Sequence, residues 1–348
     1  MMSPPVVAIA LSGGIDSLIA AFLLKQRGYD VIGVHFTTGY ETSCPDLISI
    51  KDQLKIPIRM IDLSKPFKTH VVDYFVSAYE QGRTPNPCLI CNQKIKFGAL
   101  LSVAIKMGAQ YLSTGHYAAV EQETLEQGGR YYLVKGRDDF KDQSYFLSML
   151  TSDQISRLIF PLSDLTKDEV RQIARENHLT PVSTKESQDV CFIPQNKTAE
   201  FIETRLSDTP KKGPIRDMKG QIIGEHQGLH RFTIGQRRGI NCPGPEPYYV
   251  KQIDTSSNTL VVCTKSEIKE TSAAIALFNW NDTPFDHQGQ KIRVETKIRY
   301  NHKASPSTLV WNDSSVKVLF DEPQFAVTPG QGAVFYRKNR VLGAGIIL

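Results

Sequence analysis

The stretch Val6-Val7-Ala8-Ile9-Ala10-Leu11-Ser12-Gly13-Gly14-Ile15-Asp16-Ser17 decides the fold of the first half of this chain. Six consecutive apolar residues suit a strand buried on both faces, as in a parallel sheet. Two adjacent glycines then turn the backbone, and the residues from about Ser17 to Arg27 carry the pattern of an amphipathic helix. A glycine turn between strand and helix points several N–H groups into one concavity, at the positive end of the helix dipole. Such a concavity suits phosphate or pyrophosphate. The string is neither G-x-x-x-x-G-K-[ST] nor G-x-G-x-x-G, which argues against a kinase-type P-loop and against a dinucleotide fold. Asp16 and Ser17 also suit capping of the helix that follows.

Outward from this loop the chain alternates. Residues 31–36, 58–63 and 110–114 read as strands, and 67–81, 94–107, 168–177 and 198–205 as helices. A βαβ series predicts an α/β, doubly wound parallel sheet with ligands at the strand carboxyl ends. After about Ser207 short alternating runs such as Tyr248–Ile253 and Thr259–Cys263 lie between Gly, Pro, Asn and Asp clusters, which predicts small β-rich modules. The last, with residues 291–300 and 315–320, reads as a small β-barrel. The expected division is 1–207, 208–270 and 271–348.

With 348 residues, 41% apolar and 22% charged, the chain has the composition of a soluble protein of two or three domains. A net charge of +5 permits a nucleic-acid partner without requiring one. No apolar run reaches the length of a membrane span, and the N-terminus lacks the basic region of a signal peptide, so a cytoplasmic location is expected. Six cysteines then point to catalysis or metal binding more than to a disulfide framework.

Two of them form a C-x-x-C pair in Gly82-Arg83-Thr84-Pro85-Asn86-Pro87-Cys88-Leu89-Ile90-Cys91-Asn92. The prolines are expected to hold this segment extended, leaving Cys88 and Cys91 on a loop ahead of a helix whose dipole favours thiolate. A single C-x-x-C is compatible with half a zinc site, a redox pair or no role. Zinc would need a second ligand pair, and Cys44, Cys242 and Cys263 have no partner at suitable spacing. Cys191 lies in Thr184-Lys185-Glu186-Ser187-Gln188-Asp189-Val190-Cys191-Phe192.

Taken with Ser12–Ser17 and Thr84–Asn92, the strings Thr114-Gly115-His116-Tyr117, Lys141-Asp142-Gln143-Ser144, Ser187–Phe192 and 228–239 resemble the tRNA-specific 2-thiouridylases. These are ATP enzymes with a pyrophosphatase-type loop that place sulfur on the wobble uridine of tRNA. The likeness runs from residue 6 to the end, with the motifs in family order. It implies that ATP binds at Ala10, Leu11, Ser12, Gly13, Gly14, Ile15, Asp16 and Ser17, with Phe36 at the adenine and Gly115 close by. Ser12 and Ser17 would donate to pyrophosphate, and Asp16 would contact Mg2+. It further implies that O2 of the uridine is adenylated, that Cys191 carries sulfur as a persulfide and that Cys91 is the nucleophile or resolving thiol. In one form of that mechanism Cys91 attacks the Cys191 persulfide, releasing hydrosulfide and leaving a Cys91–Cys191 disulfide; in the other the persulfide attacks C2 directly and Cys91 resolves it. Asn86, Pro87 and Cys88 fall at the target-base position, and His116, Lys141, Asp142, Gln143, Arg299, Tyr300 and Gln331 at tRNA contacts. The expected partners are tRNA and a persulfide-donating sulfur carrier protein, with the chain itself a monomer.

The chain departs from the family in places. Cys88 stands where Asp is common, which gives three thiols, the number that holds a [4Fe–4S] cluster with one iron open. Cluster-dependent thiolation through Cys88, Cys91 and Cys191 is therefore an alternative for the sulfur step. Phe36 replaces a Met, and residues 37–46 are few for the family. Two other classes keep the loop without the thiol chemistry: an ATP-dependent ligase of a small metabolite, and a non-catalytic RNA-binding protein.

Overall fold

A computed structural model describes residues 3–41, 45–123, 129–183, 190–244, 246–281, 289–312 and 315–348. Cys44 and residues 184–189 of the Cys191 motif lie outside them. The apolar run forms the strand Val6–Ala10, in which Val7, Ala8 and Ile9 are fully buried. It is the middle strand of a five-stranded sheet ordered Ile58–Asp62, Asp30–Thr37, Val6–Ala10, Tyr111–Ser113, Leu158–Ile159, and every pairing is parallel. The helix Ile15–Gln26 covers one face through Leu18, Ile19, Ala20, Ala21 and Leu24. It begins earlier than the sequence suggests, because Gly14 takes an extended N-cap conformation and leaves Ile15 free to start the turn.

The prolines before the cysteines do the opposite of what the sequence suggests. Pro87 is the first residue of a helix that continues to Lys106, with Asn86 as N-cap accepting the Cys88 N–H at 3.2 Å. A proline in the first turn sacrifices only an N–H that has no helical partner, and its fixed φ starts the helix. Cys88 and Cys91 therefore lie on the helix and not on a loop ahead of it. The sequence leads one to expect no run of membrane-spanning length. The whole helix has the length and composition to cross a membrane, but Leu89, Ile95, Phe97 and Leu100 are fully buried in the protein core.

This helix changes pitch. Between the α-helical turns Pro87–Ile90 and Leu101–Lys106, residues Cys91–Leu100 wind as a π-helix. Two features hold the wide turn open. The Gln154 side-chain amide donates to the carbonyls of Gln93 and Phe97, each at 2.8 Å, and is itself fixed by a capping box with Thr151. Gly98 has no side chain where a Cβ would lie 2.8 Å from the Gln93 carbonyl oxygen.

The second half is β-rich, as its texture indicates. A four-stranded sheet runs Tyr249–Asp254, Thr259–Cys263, Gly213–Arg216, Ile222–His226. Beyond it, six strands from Lys269–Trp280 to Arg340–Ile347 close into a barrel through the pairing of the first with the last. A hairpin from the first half, Ala118–Glu123 and Arg130–Lys135, joins the barrel's last strand at Val134 and Arg340.

Candidate active site

The phosphate loop is built by short local contacts. The Ser17 hydroxyl donates to the Gly14 carbonyl at 3.0 Å, accepts the Ser12 N–H at 3.2 Å and lies 3.2 Å from the Ser12 hydroxyl. Gly13 has φ +88°, a left-handed conformation suited to glycine. No side chain caps the helix N-terminus, so its first N–H groups remain available to an anion. Gly115 packs on the loop so closely that a Cβ would stand 2.6 Å from the Asp16 carbonyl carbon. In the neighbouring strand, Phe36 is half-buried, and buried His35 bonds the Leu11 carbonyl at 2.8 Å while its Nε2 lacks a partner. These features fit a nucleotide.

Asp16, expected to contact Mg2+, is held by two side chains of the protein. Lys167 Nζ donates to both its oxygens, at 2.7 and 2.8 Å, and the Tyr117 hydroxyl donates to Oδ1 at 2.8 Å. Lys167 is buried at the start of the helix Lys167–Glu176, whose Thr166–Glu169 capping box fixes its first turn. Nothing in the sequence singles out Lys167, a lysine at the start of a polar helix 151 residues away from Asp16.

The cysteines form a second centre. Cys88 and Cys91 share a helix face, three residues apart, and are half-buried, whereas Cys191 is exposed. All three are free thiols. The helix dipole does not win here. Burial pushes Cys91 up to about 12, against the opposing charge of Lys96, with Cys191 and Cys88 adding to the rise. Burial likewise raises Cys88 to about 11, reinforced by Cys191 and opposed by Lys96. Cys191 is raised by the protein around it and lowered by Lys96. The three thiols thus lie near enough to influence one another. Among the described residues, however, no three His, Cys, Asp or Glu side chains are grouped closely enough to hold a metal ion. As placed, the thiols do not fit a cluster.

The expected tRNA contacts divide into two kinds. Asp142 is buried, its Oδ1 accepting the N–H groups of Gly136 and Ser144 and its Oδ2 the Ser144 hydroxyl. Gln143 exchanges bonds with the Tyr117 backbone. His116 bonds the Thr114 hydroxyl at 2.7 Å and lies against Phe97 and Phe160, where burial first and Lys96 second hold it well below the usual imidazole range. Arg299 donates to the Ala326 carbonyl and the Thr328 hydroxyl. Tyr300 lies on Phe146, with centroids 4.4 Å apart. Gln331 donates to the Thr84 carbonyl at 2.8 Å. Lys141 is half-buried, and beside it stands a residue the sequence reading passed over: Phe140, 95% exposed.

Comparison with known proteins bears on the whole chain. Residues 5–195 match the tRNA methyl transferase HUP domain family, 199–264 the tRNA methyl transferase PRC-barrel domain and 271–347 the aminomethyltransferase β-barrel domain. A relative from Desulfosudis oleivorans, named tRNA-specific 2-thiouridylase MnmA, is 47% identical over 99% of this chain and 95% of its own. One of the same name from Clostridium acetobutylicum is 40% identical over 98% and 99%. Among solved structures, a 4-thiouridine synthetase–RNA complex with bound ATP is similar at 21% identity, covering 55% of this chain and 46% of that one, with a TM-score of 0.35.

Proposed function

The chain belongs to the tRNA-specific 2-thiouridylase family, and from that membership we propose that it carries out ATP-dependent 2-thiolation of the wobble uridine of tRNA. The observation that carries this reading is the pairing of two centres in one domain: a phosphate loop with an uncapped helix N-terminus, and the free thiols Cys88, Cys91 and Cys191. A small-metabolite ligase would need only the first. Ala10 to Ser17, with Phe36 and Gly115, would hold ATP, and bound ATP would supply an activated α-phosphate. Ser12, Ser17 and Lys167 would receive the negative charge of pyrophosphate. Asp16 has both oxygens on Lys167, so an ammonium stands where Mg2+ was expected, and this carboxylate does not fit a metal ligand.

In the sulfur step a persulfide on Cys191 is the donor, and its exposure suits delivery by a sulfur carrier protein. In one order of events the Cys91 thiolate attacks Cys191 Sγ and breaks the S–S bond. Hydrosulfide leaves with the electron pair, then displaces AMP at C2. In the other, the terminal sulfur attacks C2 and displaces AMP, and the Cys91 thiolate then attacks Cys191 Sγ, breaking the S–S bond and releasing the thiouridine. Both convert two thiols to a Cys91–Cys191 disulfide, which an external dithiol must reduce. Asn86, Pro87 and Cys88 would meet the target base. Lys141, His116, Arg299, Tyr300 and Gln331 would meet the tRNA, with Asp142 and Gln143 shaping their loop. The chain would act as a monomer divided near 207 and 270. Incubation with tRNA, ATP and a persulfide donor should yield 2-thiouridine by nucleoside mass analysis; tRNA that gains no sulfur would refute the reading.

The [4Fe–4S] alternative for the sulfur step rests on the third thiol that Cys88 adds on the Cys91 face, and the placement of the three thiols, which does not fit a cluster, counts against it. Iron and sulfide analysis after anaerobic reconstitution decides between the two. Full activity without iron, retained in Cys88→Ala, supports the persulfide route.

A further inference from the structure

The π-helical winding at Cys91–Leu100 has a geometric consequence for one side chain. In an α-helix, the fifth residue onward lies about 140° around the axis from its origin. Where the N–H of residue i+5 bonds the carbonyl of residue i, the fifth residue returns to nearly the same face. The fifth residue after Cys91 is Lys96, and the wide turn carries its half-buried side chain back toward the cysteine side.

We propose that Lys96 is the charge that receives anionic sulfur at this site, the Cys91 thiolate and the Cys191 persulfide, and that the π-helical turn is what aims it there. Among the described residues, Lys96 is the only cation acting on Cys88, Cys91, Cys191 and His116. The opposing carboxylate is Glu41, acting on Cys191. Among the described residues no carboxylate pairs with Lys96, so its charge is not already neutralised. It forms and breaks no bond; it lowers the free energy of sulfur anions that burial otherwise disfavours. The inference takes its purpose from the sulfur-transfer reading, but its geometry does not depend on that reading.

The test compares alkylation of Cys91 by iodoacetate and by iodoacetamide at one pH, read by peptide mass in the full chain without tRNA or ATP. Both reagents consume the same thiolate, so the ratio of their rates cancels the ionised fraction and reports local potential. Lys96→Gln should lower the iodoacetate-to-iodoacetamide ratio by about threefold or more. Lys96→Arg should preserve it. Gly98→Ala, which forces the wide turn to shift, should lower it with Lys96 still present. In the unaltered protein, raising salt from about 0.05 to 0.5 M should also lower it, a measurement that needs no variant to fold. A ratio unchanged in Lys96→Gln, or insensitive to salt, overturns the proposal. An unchanged ratio in Gly98→Ala overturns the part assigned to the π-helix. With tRNA present, Lys96→Gln should slow 2-thiouridine formation about tenfold or more while tRNA-dependent pyrophosphate release continues. A wild type that makes no 2-thiouridine yet shows the charge-dependent ratio refutes the function and leaves the site.

Discussion

At the scale of single residues, the two centres differ in how their charges are met. Asp16 and Lys167 neutralise each other at the phosphate loop, with Lys167 buried and Asp16 partly exposed. Replacing Lys167 with Gln leaves a carboxylate facing the position assigned to pyrophosphate. The KM for ATP in tRNA-dependent pyrophosphate exchange should then rise about tenfold or more, by like-charge repulsion. A KM within about twofold of wild type would remove Lys167 from the nucleotide site. At the thiols, the rise of Cys91 to about 12 fixes a pH dependence. Only the thiolate reacts, and its fraction grows about tenfold per pH unit below the pKa. Alkylation of Cys91 should therefore climb through pH 8, 9 and 10 without the plateau that an ordinary thiol near 8.5 would show. Phe140 belongs at this scale too. An aromatic ring 95% exposed beside Lys141 contributes little to the core, but it offers a face on which a base can stack. Phe140→Ala should leave the melting temperature within about 1 °C while raising the KM for tRNA several-fold, as steady-state kinetics with varied tRNA would show.

At the scale of elements, the cysteine helix depends on contacts that no local pattern announces. Gln154→Leu removes the amide that bridges the Gln93 and Phe97 carbonyls. Those partly buried acceptors lose this donor, at a cost of about 1 kcal/mol. Denaturant melts should show that loss, together with a fall in the Cys91 alkylation ratio as the turn relaxes toward α-helix. The parallel sheet, by contrast, was legible from Val6–Leu11 alone, because a strand buried on both faces leaves an uninterrupted apolar run. The helix start at Pro87 is hidden in the sequence because proline, a breaker inside a helix, initiates one at its first position. The hairpin Ala118–Glu123 with Arg130–Lys135 escaped notice for a different reason. Glu121, Gln122, Glu123 and Arg130 dilute its alternation, and its partner strand is about two hundred residues onward. The phosphate loop and the three cysteines could be read from motifs. Lys167 and Lys96 could not, since a lysine acquires its meaning here from what the fold places beside it.

At the scale of the molecule, Thr84 joins all three parts of the chain. Its N–H donates to the Pro329 carbonyl at 2.9 Å, its carbonyl accepts from Gln331, and its hydroxyl donates to that of Thr233 at 3.2 Å. Two residues further on, Asn86 caps the cysteine helix, and Tyr145 ties the region to the barrel through the Gly332 carbonyl at 3.0 Å. The N-terminus of the thiol-bearing helix is thus held by the β-rich modules on which the expected contacts Arg299, Tyr300 and Gln331 stand. Gln331 is the informative case, because its amide is spent on Thr84 in the absence of tRNA. Gly330 is the point at which to test the junction: it has φ +93°, and a Cβ there would lie 2.8 Å from the Thr84 carbonyl oxygen. Gly330→Ala should strain the junction by about 1–3 kcal/mol. The effect should appear at a distance, as faster amide exchange over residues 84–92 in the tRNA-free protein, with exchange in the helix Ile15–Gln26 unchanged. If Gln331 acted only as a tRNA contact, Gln331→Ala would raise the KM for tRNA and leave that exchange as it was. If the junction positions the helix, Gln331→Ala should speed exchange over 84–92 before any tRNA is added and lower kcat for sulfur transfer as well. Protection at 84–92 equal to wild type in both variants would show that the β-rich modules dock on the cysteine helix without holding it.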